Sequence, residues 1–85
     1  MIKIIDFYAD WCVPCKAMMP IFDELATEYP EIKFEKINIE GYEDAKKLAV
    51  TSVPTFIMFR DGIEISRKNG AISKGMFKSW IEFYK

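Results

Sequence analysis

The feature that most constrains the fold is the segment Ile2–Tyr8, which is dominated by isoleucine, phenylalanine and tyrosine. Because its apolar side chains would point to both faces of a strand, the segment predicts a strand in the interior of a sheet that is covered on both faces. A chain of 85 residues has room for one domain of this kind. We therefore expect a single α/β domain that spans residues 1–85.

The hydrophobic periodicity of the rest of the chain predicts three helices and three more strands. The imperfect alternation and the charges of residues 33 to 39 indicate a strand at the edge of the sheet. The dipeptide Asp61-Gly62 predicts a hairpin with a type I′ turn, and Ser73 is suited to cap the last helix. The predicted elements are a strand at Ile2–Tyr8, a helix at 13 to 29, a strand at 33 to 39, a helix at 42 to 50, strands at Thr55–Arg60 and at 63 to 68, and a helix after Ser73.

This order, β-α-β-α-β-β-α, predicts a mixed four-stranded sheet that is flanked by three helices. A βαβ crossover makes the first two strands parallel, and the hairpin makes the last two antiparallel. Pro20 lies inside the first predicted helix and should kink it, because proline removes one backbone hydrogen bond. In the last helix, Met76, Phe77 and Trp80 are expected to face the core.

The composition excludes several classes of function. The chain contains no histidine, so a Ser-His-Asp or Cys-His enzyme is ruled out, and two thiols could hold zinc only by bridging a dimer. The formal net charge of −1 provides no basic face for nucleic acid. No segment approaches the roughly 20 apolar residues of a membrane span, and no signal peptide is visible. We therefore expect a soluble, cytoplasmic protein.

Cys12 and Cys15 lie where the first strand gives way to the first helix. A disulfide between them would close a loop too small to add much stability, so we interpret the pair as a redox couple. The N-terminus of a helix stabilises a thiolate through its unpaired N–H groups and its dipole, which makes Cys12 the expected nucleophile. Cys15, one turn further on, is placed to attack a mixed disulfide at Cys12. Pro14 fits the first turn, because its missing N–H would have no partner there.

Asp6 is an acidic residue inside the predicted central strand. A carboxylate there destabilises the fold unless it is paired or has a function. The alternative interpretation is that Asp6 is solvated or forms a salt bridge. Because its neighbours Ile5 and Phe7 are apolar, we expect Asp6 to have a functional role.

Three segments of the chain resemble the thioredoxin family. Residues 6–16 are similar to the family's active-site segment, residues 53–55 to its cis-proline loop, and residues 69–71 to the Gly-Ala segment before its last helix. The resemblance extends over essentially the whole chain in the same order. It implies a thioredoxin-like fold and dithiol–disulfide exchange without a bound cofactor or metal, since the Cys12–Cys15 couple carries both electrons.

The resemblance also implies roles for individual residues. Asp6 matches the buried acid that manages the proton of the resolving thiol. Lys36 matches a lysine near that acid. Its alternative role is structural, because lysines on edge strands commonly prevent pairing with another chain. Pro54, expected to be cis, would pack against the cysteines and leave the Val53 backbone free to pair with an extended substrate. The rest of the expected substrate-binding rim consists of Trp11, Val13, Pro14, Gly70 and Ala71.

The chain departs from the family's pattern at several positions. Val13 stands where glycine is usual, Tyr8 where many members have tryptophan, Ser52 where glycine is common, and Asn69 where an apolar residue is common. These differences leave the substrate preference open. The sequence begins at what is normally the family's second strand, so we expect a thioredoxin-like fold that lacks the usual N-terminal strand and helix.

The function expected from these features is reduction of protein disulfides by a small monomeric oxidoreductase. A thioredoxin-reductase-like partner would supply its electrons. One alternative is a glutathione-linked, glutaredoxin-like enzyme, which the short chain favours. Another is a binding module that uses the apolar rim and not the thiols. A disulfide-forming oxidase is disfavoured, because no export signal is visible.

Overall fold

The computed structural model describes residues 1–41 and 43–85, apart from the side chain of Asp44. The elements are, in chain order, β1 (Ile2–Tyr8), α1 (Val13–Glu28), β2 (Lys33–Asn38), α2 (Asp44–Lys47), β3 (Thr55–Arg60), β4 (Ile63–Asn69) and α3 (Lys74–Tyr84). This confirms the predicted order of strands and helices. The second helix is shorter than the predicted span of 42 to 50, of which Tyr42 lies outside the described residues.

The four strands form one mixed sheet in the order β2-β1-β3-β4. β1 is parallel to β2 and antiparallel to β3, so it lies in the interior of the sheet with a hydrogen-bonded neighbour on each side. Its residues Ile4, Ile5 and Phe7 are all buried, which is why the strand is apolar on both faces. β2 lies at one edge, as its charged residues indicated.

Helices cover both faces of the sheet. α1 and α3 pack on the face that includes Ile4, Phe56 and Met58, where they bury their own apolar side chains in the largest core cluster. The smaller cluster on the opposite face includes Ala45 of α2. Because α1 starts directly after the interior strand β1, its N-terminus lies at the carboxyl end of that strand, and this arrangement positions the cysteines.

The buried face of α3 corrects one prediction. Phe77, Trp80 and Ile81 are buried, and the indole Nε1 of Trp80 donates a hydrogen bond of 2.8 Å to Ser66 Oγ on β4. Met76 is 61% exposed, so its predicted place in the core is wrong. A helix turns by about 100° per residue. The buried stripe therefore begins at Phe77 and continues three and four residues later, which directs the preceding residue toward solvent.

The β3–β4 hairpin turns at the predicted dipeptide. Asp61 has φ 52° and Gly62 has φ 84°, so both central residues have the positive φ that a type I′ turn requires. Asp61 also accepts a hydrogen bond of 2.8 Å from the Met1 ammonium group, which ties the turn to the start of β1.

The segment after α2 contains a second non-glycine residue with positive φ, Ala49 at 56°. The N–H of Val50 donates to the carbonyl of Ala45, which closes the helix end.

A left-handed backbone conformation is unfavourable for an L-residue such as Ala49 by roughly 1–2 kcal/mol. We therefore expect Ala49→Gly to raise the free energy of unfolding by about 0.5–1 kcal/mol. Urea denaturation measures this change. Lys46→Gly, an exposed position inside α2, is the control and should lower stability by about 1 kcal/mol. An Ala49→Gly variant that also loses stability would contradict the prediction.

Candidate active site

The cysteines lie where β1 passes into α1. The N–H of Cys12 donates to the carbonyl of Ala9 at 3.1 Å, which forms the turn between the strand and the helix. Cys12 is the N-cap residue of α1, with an extended backbone at φ −89° and ψ 106°. Its Sγ accepts a hydrogen bond of 3.2 Å from the backbone N–H of Cys15. The helix N-terminus therefore already presents a donor to the sulfur that we expect to carry the negative charge.

Cys12 and Cys15 are joined in a disulfide, with their Cα atoms 5.2 Å apart. Pro14 occupies the first turn of α1 between them, where its missing N–H leaves no carbonyl unpaired. Cys12 retains 4% of its surface exposed, whereas Cys15 is completely buried. A partner sulfur can therefore approach Cys12 more easily than Cys15, which agrees with the expected assignment of the nucleophile.

The cis-proline loop lies beside the disulfide. Val53 packs against the cluster of Ala9, Cys12 and Cys15, and the Val53-Pro54 peptide bond is cis, as the resemblance implied. Pro54 itself is buried. Within the described part of the chain, the backbone of Val53 forms no hydrogen bond, so its N–H and C=O remain available to an added strand.

Hydrogen bonds join this loop to the segment before α3. The N–H of Gly70, at φ 86°, donates to the carbonyl of Pro54 at 2.8 Å. The hydroxyl of Thr55 lies 2.7 Å from the carbonyl of Ser52 and 3.1 Å from Oδ1 of Asn69. Two of the positions that depart from the family's pattern therefore meet at one buried hydroxyl. Sequence analysis had assigned no role to Thr55, and only the three-dimensional arrangement shows that it connects the two loops.

The predicted rim is exposed around the buried disulfide. Trp11 is 66% exposed and Val13 is 74% exposed, and both lie within two residues of Cys12. Pro14 and Ala71 are exposed as well. A group of apolar side chains that are exposed next to one another often marks a binding surface, whereas single exposed apolar side chains are ordinary. The exposed apolar groups therefore surround the one cysteine that retains accessible surface.

Asp6 is completely buried in β1, and neither of its carboxylate oxygens has a hydrogen-bond partner. Burial raises the pKa of Asp6 from 3.8 to about 7, since a charged carboxylate is poorly solvated there. The Lys36 ammonium lowers this pKa and the Asp23 carboxylate raises it, both by smaller amounts. The alternative of a solvated or salt-bridged Asp6 does not agree with this environment.

Lys36 is the register partner of Asp6 on the neighbouring strand β2. Its Nζ, however, lies 2.6 Å from Oδ1 of Asp23 on α1. The structure therefore places the predicted lysine next to the buried acid along the sheet, and pairs its ammonium group with a different carboxylate. Sequence reasoning did not identify Asp23, because no local pattern shows which residue of α1 faces β2.

In residues 1–41 and 43–85, no group of three or more His, Cys, Asp or Glu side chains is arranged to hold a metal ion. No helix among these residues combines the length and the apolar character that a membrane span requires.

Comparison with known proteins agrees with this geometry. The family model described as Thioredoxin matches residues 1–83. The chain belongs to the thioredoxin family. Its Cys12–Cys15 pair in this fold is that of a thiol–disulfide oxidoreductase, which confirms the resemblance and the fold inferred from the sequence.

Individual relatives show the extent of the similarity. Thioredoxin of Chlamydia pneumoniae is 43% identical over 79 residues, which are 92% of this chain and 78% of that protein. A thioredoxin-like protein of Fusarium culmorum is 37% identical over 76 residues, and the chain spans only 63% of its length. The crystal structure of Fasciola hepatica thioredoxin has a TM-score of 0.91 and 36% identity, covering 99% of this chain and 81% of the other.

Proposed function

We propose that this protein reduces the disulfides of other proteins, with Cys12 as the nucleophile and Cys15 as the resolving thiol. The observation that carries the proposal is the position of Cys12: its Sγ caps α1 and accepts the N–H of Cys15, while Cys15 is fully buried. A thiolate at Cys12 would receive the same hydrogen bond and the favourable end of the helix dipole.

The reaction consists of two exchanges. In the first, the Cys12 thiolate attacks one sulfur of the substrate disulfide and forms a mixed disulfide with it, while the substrate's own S–S bond breaks and releases one substrate thiolate. In the second, the Cys15 thiol loses its proton and attacks Cys12 Sγ, which forms the Cys12–Cys15 disulfide and releases the second substrate thiolate. Two electrons pass from the dithiol to the substrate, so the reaction needs no bound cofactor or metal.

Asp6 is the proposed acceptor of the Cys15 proton. An acid that titrates near neutral pH can both take up and release a proton under the conditions of the reaction. The buried and unpartnered carboxylate, with its pKa of about 7, meets this requirement. Lys36 is proposed to influence Asp6 through its charge from the adjacent strand.

Substrate binding is proposed at the surface formed by the cis-proline loop and the rim. An extended substrate segment can add a strand along the free backbone of Val53, while the exposed side chains of Trp11 and Val13 contact its apolar residues. This places the substrate's sulfur next to Cys12, because Val53 packs against the cysteine cluster. Pro14, Gly70 and Ala71 complete this proposed surface.

The identity of the electron donor distinguishes this function from its nearest alternative. We expect the protein to catalyse insulin disulfide reduction with NADPH and a thioredoxin reductase, and to show little turnover when glutathione and glutathione reductase replace them. The reverse preference would favour a glutaredoxin-like enzyme. Absence of disulfide reduction with both donors and with dithiothreitol would contradict the proposed function.

A cytoplasmic location and a monomeric state belong to the same proposal. Cell fractionation tests the location, and gel filtration tests the oligomeric state.

A further inference from the structure

The ion pair between Lys36 and Asp23 is the feature near the redox centre that the two exchanges do not use. It joins β2 to α1, with 2.6 Å between Nζ and Oδ1. The side chains are 34% and 63% exposed, so the pair lies at the surface, where such pairs contribute little to stability. The effect of the ion pair therefore depends on where it holds the charge of Lys36.

Two carboxylates lie within the influence of the one ammonium group. Lys36 is the register partner of Asp6 in the parallel β1–β2 ladder, so the two side chains leave adjacent strands on the same face. That face is covered by α1, which carries Asp23. The ammonium group is paired with the exposed Asp23, and the buried oxygens of Asp6 have no partner.

We propose that Asp23 is a positioning residue for the redox centre, because it holds the Lys36 ammonium on α1 and thereby keeps it from pairing with the buried Asp6 carboxylate. This inference rests on the proposed function, since it is through Asp6 that the Cys15 proton would move. Its consequence is that an exposed residue of α1 sets the pH at which Asp6 exchanges its proton.

Among the residues that the structure describes, the charges that act on the pKa of Asp6 are those of Lys36 and Asp23. From β2 it faces Lys36, from α1 it is influenced by Asp23, and its register partner on β3 is the apolar Phe56. Asp23 and Lys36 are therefore the pair of charges that controls Asp6 in the oxidised protein.

Removing the Asp23 charge acts on Asp6 in two ways that have the same sign. Asp23→Asn abolishes a nearby negative charge that raises the pKa of Asp6. It also releases the Lys36 ammonium, for which Asp6 then becomes an available partner on the same face. Both changes favour the ionised carboxylate, so we expect the titration midpoint of Asp6 to fall by about one pH unit.

The test follows Asp6 directly by carbon-13 NMR of its carboxyl group in the oxidised protein, a readout that needs no activity. Asp23→Asn should lower the midpoint by about one unit. Asp23→Glu should restore a midpoint close to that of the wild type, because it keeps the charge. Glu24→Gln is the matched control, since Glu24 is the exposed neighbour that pairs with Lys74 instead. It should leave the midpoint unchanged.

A second variant separates the position of the lysine from the charge of Asp23. In Asp23→Asn combined with Lys36→Met, the midpoint should rise above that of Asp23→Asn alone, because the released ammonium group is gone. An unchanged midpoint in Asp23→Asn, or an equal decrease in Asp23→Glu, would overturn the inference. So would a double variant that titrates like Asp23→Asn alone.

The pH profile of insulin reduction links this positioning to catalysis. Asp23→Asn should move the inflection of the rate profile to lower pH in parallel with the NMR midpoint, while Glu24→Gln should not. A rate profile that stays fixed while the midpoint moves would overturn the link between Asp23 and catalysis. If no variant, including the wild type, reduces insulin, the proposed function fails, and the NMR midpoints still decide whether Asp23 positions Lys36.

Discussion

Asp6→Asn is expected to raise the free energy of unfolding of the oxidised protein by about 2–4 kcal/mol at pH 8. The wild-type carboxylate is completely buried and has no hydrogen-bond partner, so its ionised form is poorly accommodated in the folded state. An amide of nearly the same shape carries no charge and avoids most of this penalty. The substitution should therefore stabilise the fold although it removes a residue of the redox centre.

The pH dependence of this effect follows from the pKa of Asp6, which rises from 3.8 to about 7 on folding. Between these values the folded protein binds more protons at this site than the unfolded chain does, so wild-type stability falls as the pH rises through this window. Below about pH 4 the carboxyl is protonated in both states, and the advantage of Asp6→Asn should disappear. Above pH 7 the advantage should be constant.

Urea denaturation of the oxidised proteins between pH 4 and pH 8 measures this difference. Asp10→Asn is a suitable control, because Asp10 is an exposed carboxylate four residues away. It should change stability by no more than about 0.5 kcal/mol, as is usual for surface substitutions. A wild type and an Asp6→Asn variant of equal stability at pH 8 would show that the Asp6 carboxylate is solvated or paired.

The same variant should reduce insulin more slowly at neutral pH. General acid–base groups typically contribute about 10²–10⁴-fold to a rate, and Asp6→Asn removes the proposed acceptor of the Cys15 proton and with it such a contribution. A residue that destabilises the fold but accelerates the reaction is typical of functional sites. The opposite effects of Asp6→Asn on stability and on turnover therefore distinguish a working acid from a structural one.

The sequence was sufficient for the features that depend on strong local patterns. The apolar segment Ile2–Tyr8 predicted an interior strand, because a strand with neighbours on both sides and helices above and below it must be apolar on both faces. The dipeptide Asp61-Gly62 predicted the hairpin, since few residues accept positive φ at two successive positions. The spacing of Cys12 and Cys15 after the strand predicted a redox pair at a helix N-terminus.

Other features depend on contacts between distant segments and could not be predicted in this way. Only the packing of α1 over β2 shows that Asp23 meets Lys36. The exposure of Met76 depends on the rotation of α3 about its axis, which a short apolar stripe does not define to within one residue. The cis peptide bond at Pro54 was expected only from the family resemblance, because most bonds before proline are trans.

Cys15→Ser and Cys12→Ser are both expected to abolish catalytic turnover, with losses of at least about 10³-fold, but they should differ in what accumulates. Cys15→Ser keeps the nucleophile and lacks the resolving thiol. It should therefore retain a substrate protein in a mixed disulfide at Cys12. Cys12→Ser keeps only the buried Cys15, which has no exposed surface, and it should form no such complex.

Neither substitution should unfold the domain. Chain-entropy arguments assign a bridge between residues three apart a stabilisation of only about 2 kcal/mol, less than the stability of a typical domain. Circular dichroism should therefore remain close to that of the wild type for both variants. This control is needed, because loss of turnover through unfolding would carry no information about the order of the two thiols.

Non-reducing gel electrophoresis after incubation with oxidised insulin detects the mixed disulfide, and dithiothreitol should release it. A complex formed by Cys12→Ser, or turnover by either variant at the wild-type rate, would contradict the assignment of the two thiols.

The double variant Cys12→Ser, Cys15→Ser addresses the binding-module alternative, since it keeps the rim and lacks both sulfurs. If the double variant binds partner proteins as tightly as the oxidised wild type, then the exposed surface around Trp11 and Val13 acts without the redox pair.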